Sequence, residues 1–386
     1  FKKDNLNMKK KFIENDSIWI LASILIFGIF SRIWISQFGF NHDFSMWKYN
    51  LELFNNGESF YAFEKYNYSP LWIHILHLLD SIYINLENSE EIYRLKIVIF
   101  LTIIDVLIFF CLLKNYSLKI GLIFFLNPIS IFITGFHNQF DNTAVLLGFL
   151  AMLLYEKNNK EGRIILPLIL LGISLCAKHI MFFFPIWLFF KEKNLSKKLL
   201  ILIVPYSIFF ISFAPYLNQL NYIIENVFLY KSQDNGPFWN MFTPYFLHAY
   251  IDKKTLFSIF IIILGFLLKN RGLLNIYLLY LLSIVIFSSA IANQYFAIPL
   301  IAIAIFWNWK YLIFTILCCI VFILDGDALN IKYFSEFLNW DLRSTRILYH
   351  PIIFILLIGF LETLLGKKYL YNNLNKIFKK TKKFIS

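Results

Sequence analysis

Apolar runs close to twenty residues long recur along almost the whole of this chain, and they restrict what it can fold into. A bilayer's hydrocarbon core, about 30 Å thick, takes roughly 20 apolar residues per helix. Backbone groups find no water there, so only helices or closed barrels can cross, and the ten-residue alternation of barrel strands is missing from this sequence. Hydrophobic residues fill 59% of 386 positions and charged residues only 16%, beyond the apolar share of a soluble domain. The pattern predicts an all-α polytopic membrane protein with one integral-membrane domain over residues 1–386.

The apolar runs place about twelve spans, at 17–37, 92–113, 119–136, 142–155, 164–176, 180–190, 199–216, 255–268, 273–290, 294–308, 311–324 and 346–365. Pro70 to Asn85 is a thirteenth apolar run, but a crossing there would turn the basic loops at Lys114 and Lys119 and at Lys191 to Lys198 outward, along with the tail from Lys367 to Lys383. The positive-inside rule opposes that, so the segment is expected as a juxtamembrane helix on the outer surface. Both termini are then cytoplasmic, with most of the 36 lysines and arginines on that side. Basic loops on both sides of 164–190 split it into two short helices turning at Lys178-His179. Lys2 to Lys11 followed by an apolar run resembles a signal peptide, but no small-residue cleavage site follows, and a retained first span is expected.

The net charge of +12 is accounted for by these loops and the tail resting against anionic lipid, which removes nucleic acid from the expected partners. Cys111, Cys176, Cys318 and Cys319 all lie inside apolar runs, giving neither a disulfide framework nor a zinc spacing. With this topology the remaining polar residues gather on one side: Asp43 after the first span, His137, Gln139, Asp141 and Asn142, the Lys178-His179 turn, and Gln233, Asp234, Asn235 and Trp239 in the 217–254 loop. Such convergence suits an enzyme working at a membrane face, whereas a transporter would carry ionisable groups near the midplane and internal repeats. Asp105 is the one acid well inside a span and reads as a buried helix-packing carboxylate.

Four stretches, in order, resemble the polyprenyl-phosphate-sugar-dependent glycosyltransferases of the GT-C superfamily, in particular the dolichyl-phosphate-glucose glucosyltransferases of lipid-linked oligosaccharide assembly. They are Asp43 followed by Tyr68-Ser69-Pro70-Leu71, the helix Thr102 to Leu107 around Asp105, Asn127-Pro128 leading to His137-Asn138-Gln139-Phe140-Asp141, and Lys178-His179-Ile180 with Pro185. Gly236-Pro237-Phe238-Trp239-Asn240 is similar to a later loop of that family. The likeness covers about residues 38–245 and departs at Ser69, Val98 and Asp141. It implies a catalytic module over about 1–245 and variable C-terminal helices over about 246–386.

The resemblance implies an inverting transfer of a hexose from a polyprenyl-phosphate carrier to a glycan or lipid-linked acceptor on the extracytoplasmic or lumenal side. A lipid-linked-sugar flippase and a non-catalytic subunit of a glycan-assembly complex stand as alternatives. Asp43 would take the acceptor's proton, while from the residues alone it equally suits the N-cap of a helix beginning near Phe44. Lys178 and His179 would hold the lipid phosphate, with Arg94 and Lys96 as weaker candidates and snorkelling as the structural alternative. His137, Gln139 and Asp141 would hydrogen-bond the sugar or the loop that carries Asp43; their side chains also suit a divalent cation, Asp141 suits an N-cap, and no cofactor is expected. Gln233, Asp234 and Trp239 would close over the donor sugar, and His42 reads as an interface residue. A chain this rich in Ile, Lys, Asn and Phe suits an A+T-rich genome, and its compact length favours a prokaryotic plasma membrane over the endoplasmic reticulum.

Overall fold

Helices and short helical turns supply all regular structure among the residues described in this computed structural model, namely 15–63, 66–82, 90–230, 236–243, 250–326, 328–329 and 331–366. The first helix, Asn15–Ile35, crosses the short helix Pro128–Gly135 so closely that a Cβ on Gly135 would sit 2.3 Å from Ile35 Cγ2 and 2.5 Å from the Arg32 carbonyl oxygen. Only glycine permits that approach. Pro128–Gly135 restarts after Leu118–Phe125 because Asn127 accepts a hydrogen bond from Ile129 N at 2.9 Å and Pro128 presets φ at the first helical position. The two halves bend by 48°.

Glu90–Asn115 packs beside both of these elements and carries Asp105 into the contact. There Arg32 Nε donates to Asp105 Oδ2 at 2.9 Å, and both side chains are fully buried. Ser130 (3.1 Å) and Thr134 (2.7 Å) donate to the same oxygen, while Asn142 donates to Oδ1 at 2.7 Å. Arg32 also donates to the carbonyls of Gly28 and Phe125 and to Ser130 Oγ. Burying two charges is tolerable only when they are paired and their remaining donors and acceptors are met, as they are here.

Asp141–Asn158 lies along Ile165–Ala177, which in turn packs on Leu195–Ile211. Leu273–Ile286 runs through the interior, buried without interruption from Ile276 to Ile286, and its Tyr277 hydroxyl donates to the Val145 carbonyl at 2.6 Å. A helix apolar on every side belongs in such a position. Leu71–Ser81 has eleven residues, about 16 Å of rise, too short to cross a bilayer; it packs against His42–Asn55 and Glu90–Asn115. The Ser69 hydroxyl donates to the Cys176 carbonyl and ties the start of this helix to the end of Ile165–Ala177.

These lengths correct the expectation of about twelve spans. Among the described residues three helices are long and apolar enough to cross: Ile18–Phe38, Glu90–Asn115 and Arg343–Leu365. The bent pairs Leu118–Phe125 with Pro128–Gly135, and Leu195–Ile211 with Ala214–Phe228, raise the number to five at most. Ile165–Ala177, Leu273–Ile286 and Trp309–Leu324 have 13, 14 and 16 residues, roughly 20–24 Å of rise and short of about 30 Å. Asp141–Asn158 is longer but carries Asp141, Glu156 and Lys157. The misreading has a physical origin, because hydropathy scores a helix buried in protein and one facing lipid alike. The long apolar helices, with Trp19, Ile26, Phe27 and Phe30 of the first turned outward, associate the protein with a membrane.

Candidate functional site

Asn41, not Asp43, caps His42–Asn55: its side-chain oxygen accepts from Asp43 N at 2.8 Å. Asp43 therefore sits in the first helical turn with its carboxylate free to act elsewhere, half-buried, and Oδ2 accepts from Gln139 Nε2 at 2.5 Å. Gln139 belongs to the link between Pro128–Gly135 and Asp141–Asn158, and its backbone is fixed by a bond from its N–H to the Ile133 carbonyl at 3.1 Å. Within this link Asn138 adopts a left-handed backbone, φ 58°, which asparagine tolerates better than most side chains. Its amide donates to the Gly135 carbonyl at 2.9 Å.

The same Asn41 amide fixes His137. Because Asn41 Oδ1 is the capping acceptor, Nδ2 is the donor toward His137 Nδ1 at 2.9 Å, so Nδ1 accepts and Nε2 carries the proton. Complete burial pushes the His137 imidazole down to about 3, and the ring is neutral at pH 7. His137, Asn138 and Gln139 thus form a rigid strap that joins the Asp43 helix to the Asp141 helix.

Asp141 occupies the first turn of its helix without capping it by its side chain; Oδ2 instead accepts from Lys178 Nζ at 2.7 Å. Both groups are buried. Lys178 lies in extended backbone between Ile165–Ala177 and the turn His179–Met181, and its ammonium is 4.8 Å from the ring centre of Phe140 and 5.6 Å from that of Tyr68. The Phe140 ring is stacked on Trp72 at 3.9 Å and meets Trp47 and Tyr68 edge-on. His179 has an open side chain in crowded surroundings; desolvation and the adjacent Lys178 push it down to about 4.

Three phenols share the field of the carboxylates. Desolvation and then Asp43 and Asp141 raise Tyr68; desolvation and then Asp43 raise Tyr230; Tyr295 is raised by desolvation, Asp141, Tyr230 and Asp43 in that order. All three stay protonated and can donate. Several buried atoms in the same stretch have no hydrogen-bond partner among the described residues: His137 Nε2, Asn138 Oδ1, Gln139 Oε1, Asp141 Oδ1, Asn142 Oδ1 and Thr143 Oγ1. Buried polar atoms are ordinarily satisfied, so this concentration marks a place suited to a polar ligand or ordered water.

Asp43 is thus paired with Gln139 and Asp141 with Lys178, His137 reaches the start of the Asp43 helix through Asn41, and the chain from 137 to 141 links the pairs, with His179 next after Lys178. His137, Gln139 and Asp141 do not face one point: they address Asn41, Asp43 and Lys178 respectively, and among the described residues no group of three or more His, Cys, Asp or Glu side chains is arranged to hold a metal. Trp239 is buried against Phe260 and donates its indole N–H to the Phe287 carbonyl at 2.7 Å, a packing position. Gln233, Asp234 and Asn235 lie outside the described residues, as does the basic tail from Lys367. Arg94 donates to the carbonyls of Gly39 and Ser36, and Lys96 to that of Ile82, so both hold loop backbone.

Sequence reasoning missed Tyr230, Tyr295 and the capping role of Asn41. The last was readable, since asparagine two residues ahead of an acid is a good N-cap pattern. Nothing local marked Tyr295. No protein-family model matches the chain, and no curated protein does. An all-α architecture with, among the described residues, three to five membrane-length helices rather than about twelve corrects the resemblance to the GT-C superfamily, and the chain is not assigned to it.

Proposed function

We propose that this protein is a glycosyltransferase moving a hexose from a polyprenyl-phosphate carrier to an acceptor hydroxyl, with inversion at the anomeric carbon. The observation that carries this reading is the held but accessible carboxylate of Asp43. Gln139 fixes Oδ2, and Oδ1 has no partner among the described residues on a half-buried side chain. In the proposed step the acceptor oxygen attacks the anomeric carbon as its proton passes to Asp43, and the carbon–oxygen bond to phosphate breaks, that oxygen keeping the electron pair. Lys178 would stabilise the departing phosphate, because a cation in a water-poor pocket acts more strongly than one in bulk solvent. Asp141 accepts from one of the three ammonium N–H groups of Lys178.

A lipid-linked donor suits a site on a membrane-associated chain. An apolar groove of about 440 Å³, lined by Leu126, Pro128, Trp307, Ile316 and Ile320 among others, ends one eight-residue helix away from the strap that carries Gln139. It would accept an isoprenoid tail. The reading places the reaction on the extracytoplasmic face of a prokaryotic plasma membrane.

Purified protein in liposomes, given synthetic polyprenyl-phosphate hexoses and candidate acceptors, tests it. Wild-type protein should form a new glycoside and release polyprenyl phosphate. Asp43→Asn should lower turnover by about 10²- to 10⁴-fold, the usual worth of a general base, with donor binding nearly intact. Wild-type-like turnover in that variant removes Asp43 from the chemistry. Passage of intact donor across the bilayer without a new glycoside would make the protein a carrier, and donor binding without turnover under any acceptor would make it a non-catalytic subunit.

A further inference from the structure

The turn Asn293–Ala297 packs against Pro128–Gly135, Asp141–Asn158 and Trp309–Leu324, placing a piece of the C-terminal half beside the strap that joins Asp43 to Asp141. A buried polar cluster pins it from behind. Asn293 Nδ2 donates to Asp325 Oδ2 at 2.6 Å, the Tyr349 hydroxyl donates to Asn293 Oδ1 at 2.9 Å, and Thr345 donates to Asp325 Oδ1 at 3.3 Å. Tyr349 and Thr345 belong to the helix Leu342–Leu365, one of the three of membrane length.

Two residues beyond Asn293, Tyr295 is within electrostatic reach of Asp141, Tyr230 and Asp43. Its side chain is part-exposed. Its hydroxyl makes no hydrogen bond among the described residues, and the same holds for Tyr68 and Tyr230. Carboxylates that accept beside phenols that donate form a complementary set for a polyol, whose hydroxyls do both.

We propose that Tyr295 is a ligand-contacting residue of the Asp43–Asp141 site that donates its phenolic hydrogen to a hydroxyl of a bound hexose, and that Asn293 and Asp325 are positioning residues acting through it. This rests on reading the site as one that binds a sugar. The C-terminal helices then set how the sugar is held, because they fix the turn through Asn293. A conservative change at Tyr295 removes one oxygen and leaves the ring packing in place.

The test is equilibrium binding of a short-chain isoprenyl-phosphoryl glucose to the full chain in nanodiscs, beside steady-state kinetics on the same samples. Tyr295→Phe should weaken binding about tenfold, as loss of a good hydrogen bond does, with an unchanged thermal midpoint. Asn293→Ala should weaken it to a similar degree, and adding Asn293→Ala to Tyr295→Phe should cost nothing further, a non-additivity that independent structural damage would not give. Wild-type affinity in Tyr295→Phe overturns the assignment, and so do additive losses in the double variant. Should Asn293→Ala fail to fold, the Tyr295→Phe measurement decides alone. Wild-type binding without turnover would sink the proposed transfer and leave Tyr295 standing, whereas a wild-type protein that does not bind the probe overturns both.

Discussion

One amide, that of Asn41, holds two pieces of the candidate site at once, capping the Asp43 helix with its oxygen and fixing the His137 tautomer with its nitrogen. The consequence is a pH dependence whose sign can be worked out. His137 ordinarily titrates at 6.5 and is pushed down to about 3 by burial. Between those values the unfolded chain binds a proton that the folded chain refuses, so the stabilisation is complete above about pH 6.5 and is lost as pH falls toward 3. His137→Asn keeps an acceptor for Asn41 and removes the titration. Its melting temperature should fall less steeply than that of the wild type between pH 6.5 and 4; parallel curves would show that His137 does not titrate on unfolding. At this scale the sequence singled out Asp43 and Gln139 but did not pair them with each other. Asp43 and Gln139 are 96 positions apart, and their contact exists because the Arg32–Asp105 network and Gly135 bring the first helix against Pro128–Gly135.

The break at Lys178-His179 was legible because basic loops flank that segment on both sides, whereas the one at Asn127-Pro128 was not: a single span over 119–136 was expected, and the chain forms two short helices bent by 48° there. Span assignments failed where a helix is apolar for a different reason: Leu273–Ile286 is wrapped by protein. Asp105 was readable as a packing carboxylate, but its partner Arg32 sits 73 positions away on another helix. That pair binds five elements, including Leu118–Phe125 through the Phe125 carbonyl and, through Asn142, the start of the Asp141 helix. Arg32→Ala would leave Asp105 charged and uncompensated, and a loss of about 3–5 kcal/mol is expected. Adding Asp105→Asn should restore part of it by removing the stranded charge. Thermal unfolding of both variants in detergent checks this, and a double variant no more stable than the single one would mean that the lost packing, not the charge, matters.

Across the whole molecule the apolar helices make membrane association the dominant physical property. After cell disruption the protein should sediment with membranes and stay there through alkaline carbonate washing; release into the wash would mean that the outward faces of Ile18–Phe38 and its companions meet protein rather than lipid. Elements on either side of residue 245 pack together, Leu273–Ile286 on Asp141–Asn158 and the Asn293–Ala297 turn on Pro128–Gly135.

The anchoring of Asn293 by Asp325 and Tyr349 bears on how such a protein can diversify. Exchange of the C-terminal third with that of a second protein of the same architecture would transplant the tyrosine turn along with its supports, leaving Asp43 and Lys178 untouched. On the proposed reading, sugar preference would then change by recombination while the groups assigned to bond breaking stayed where they were.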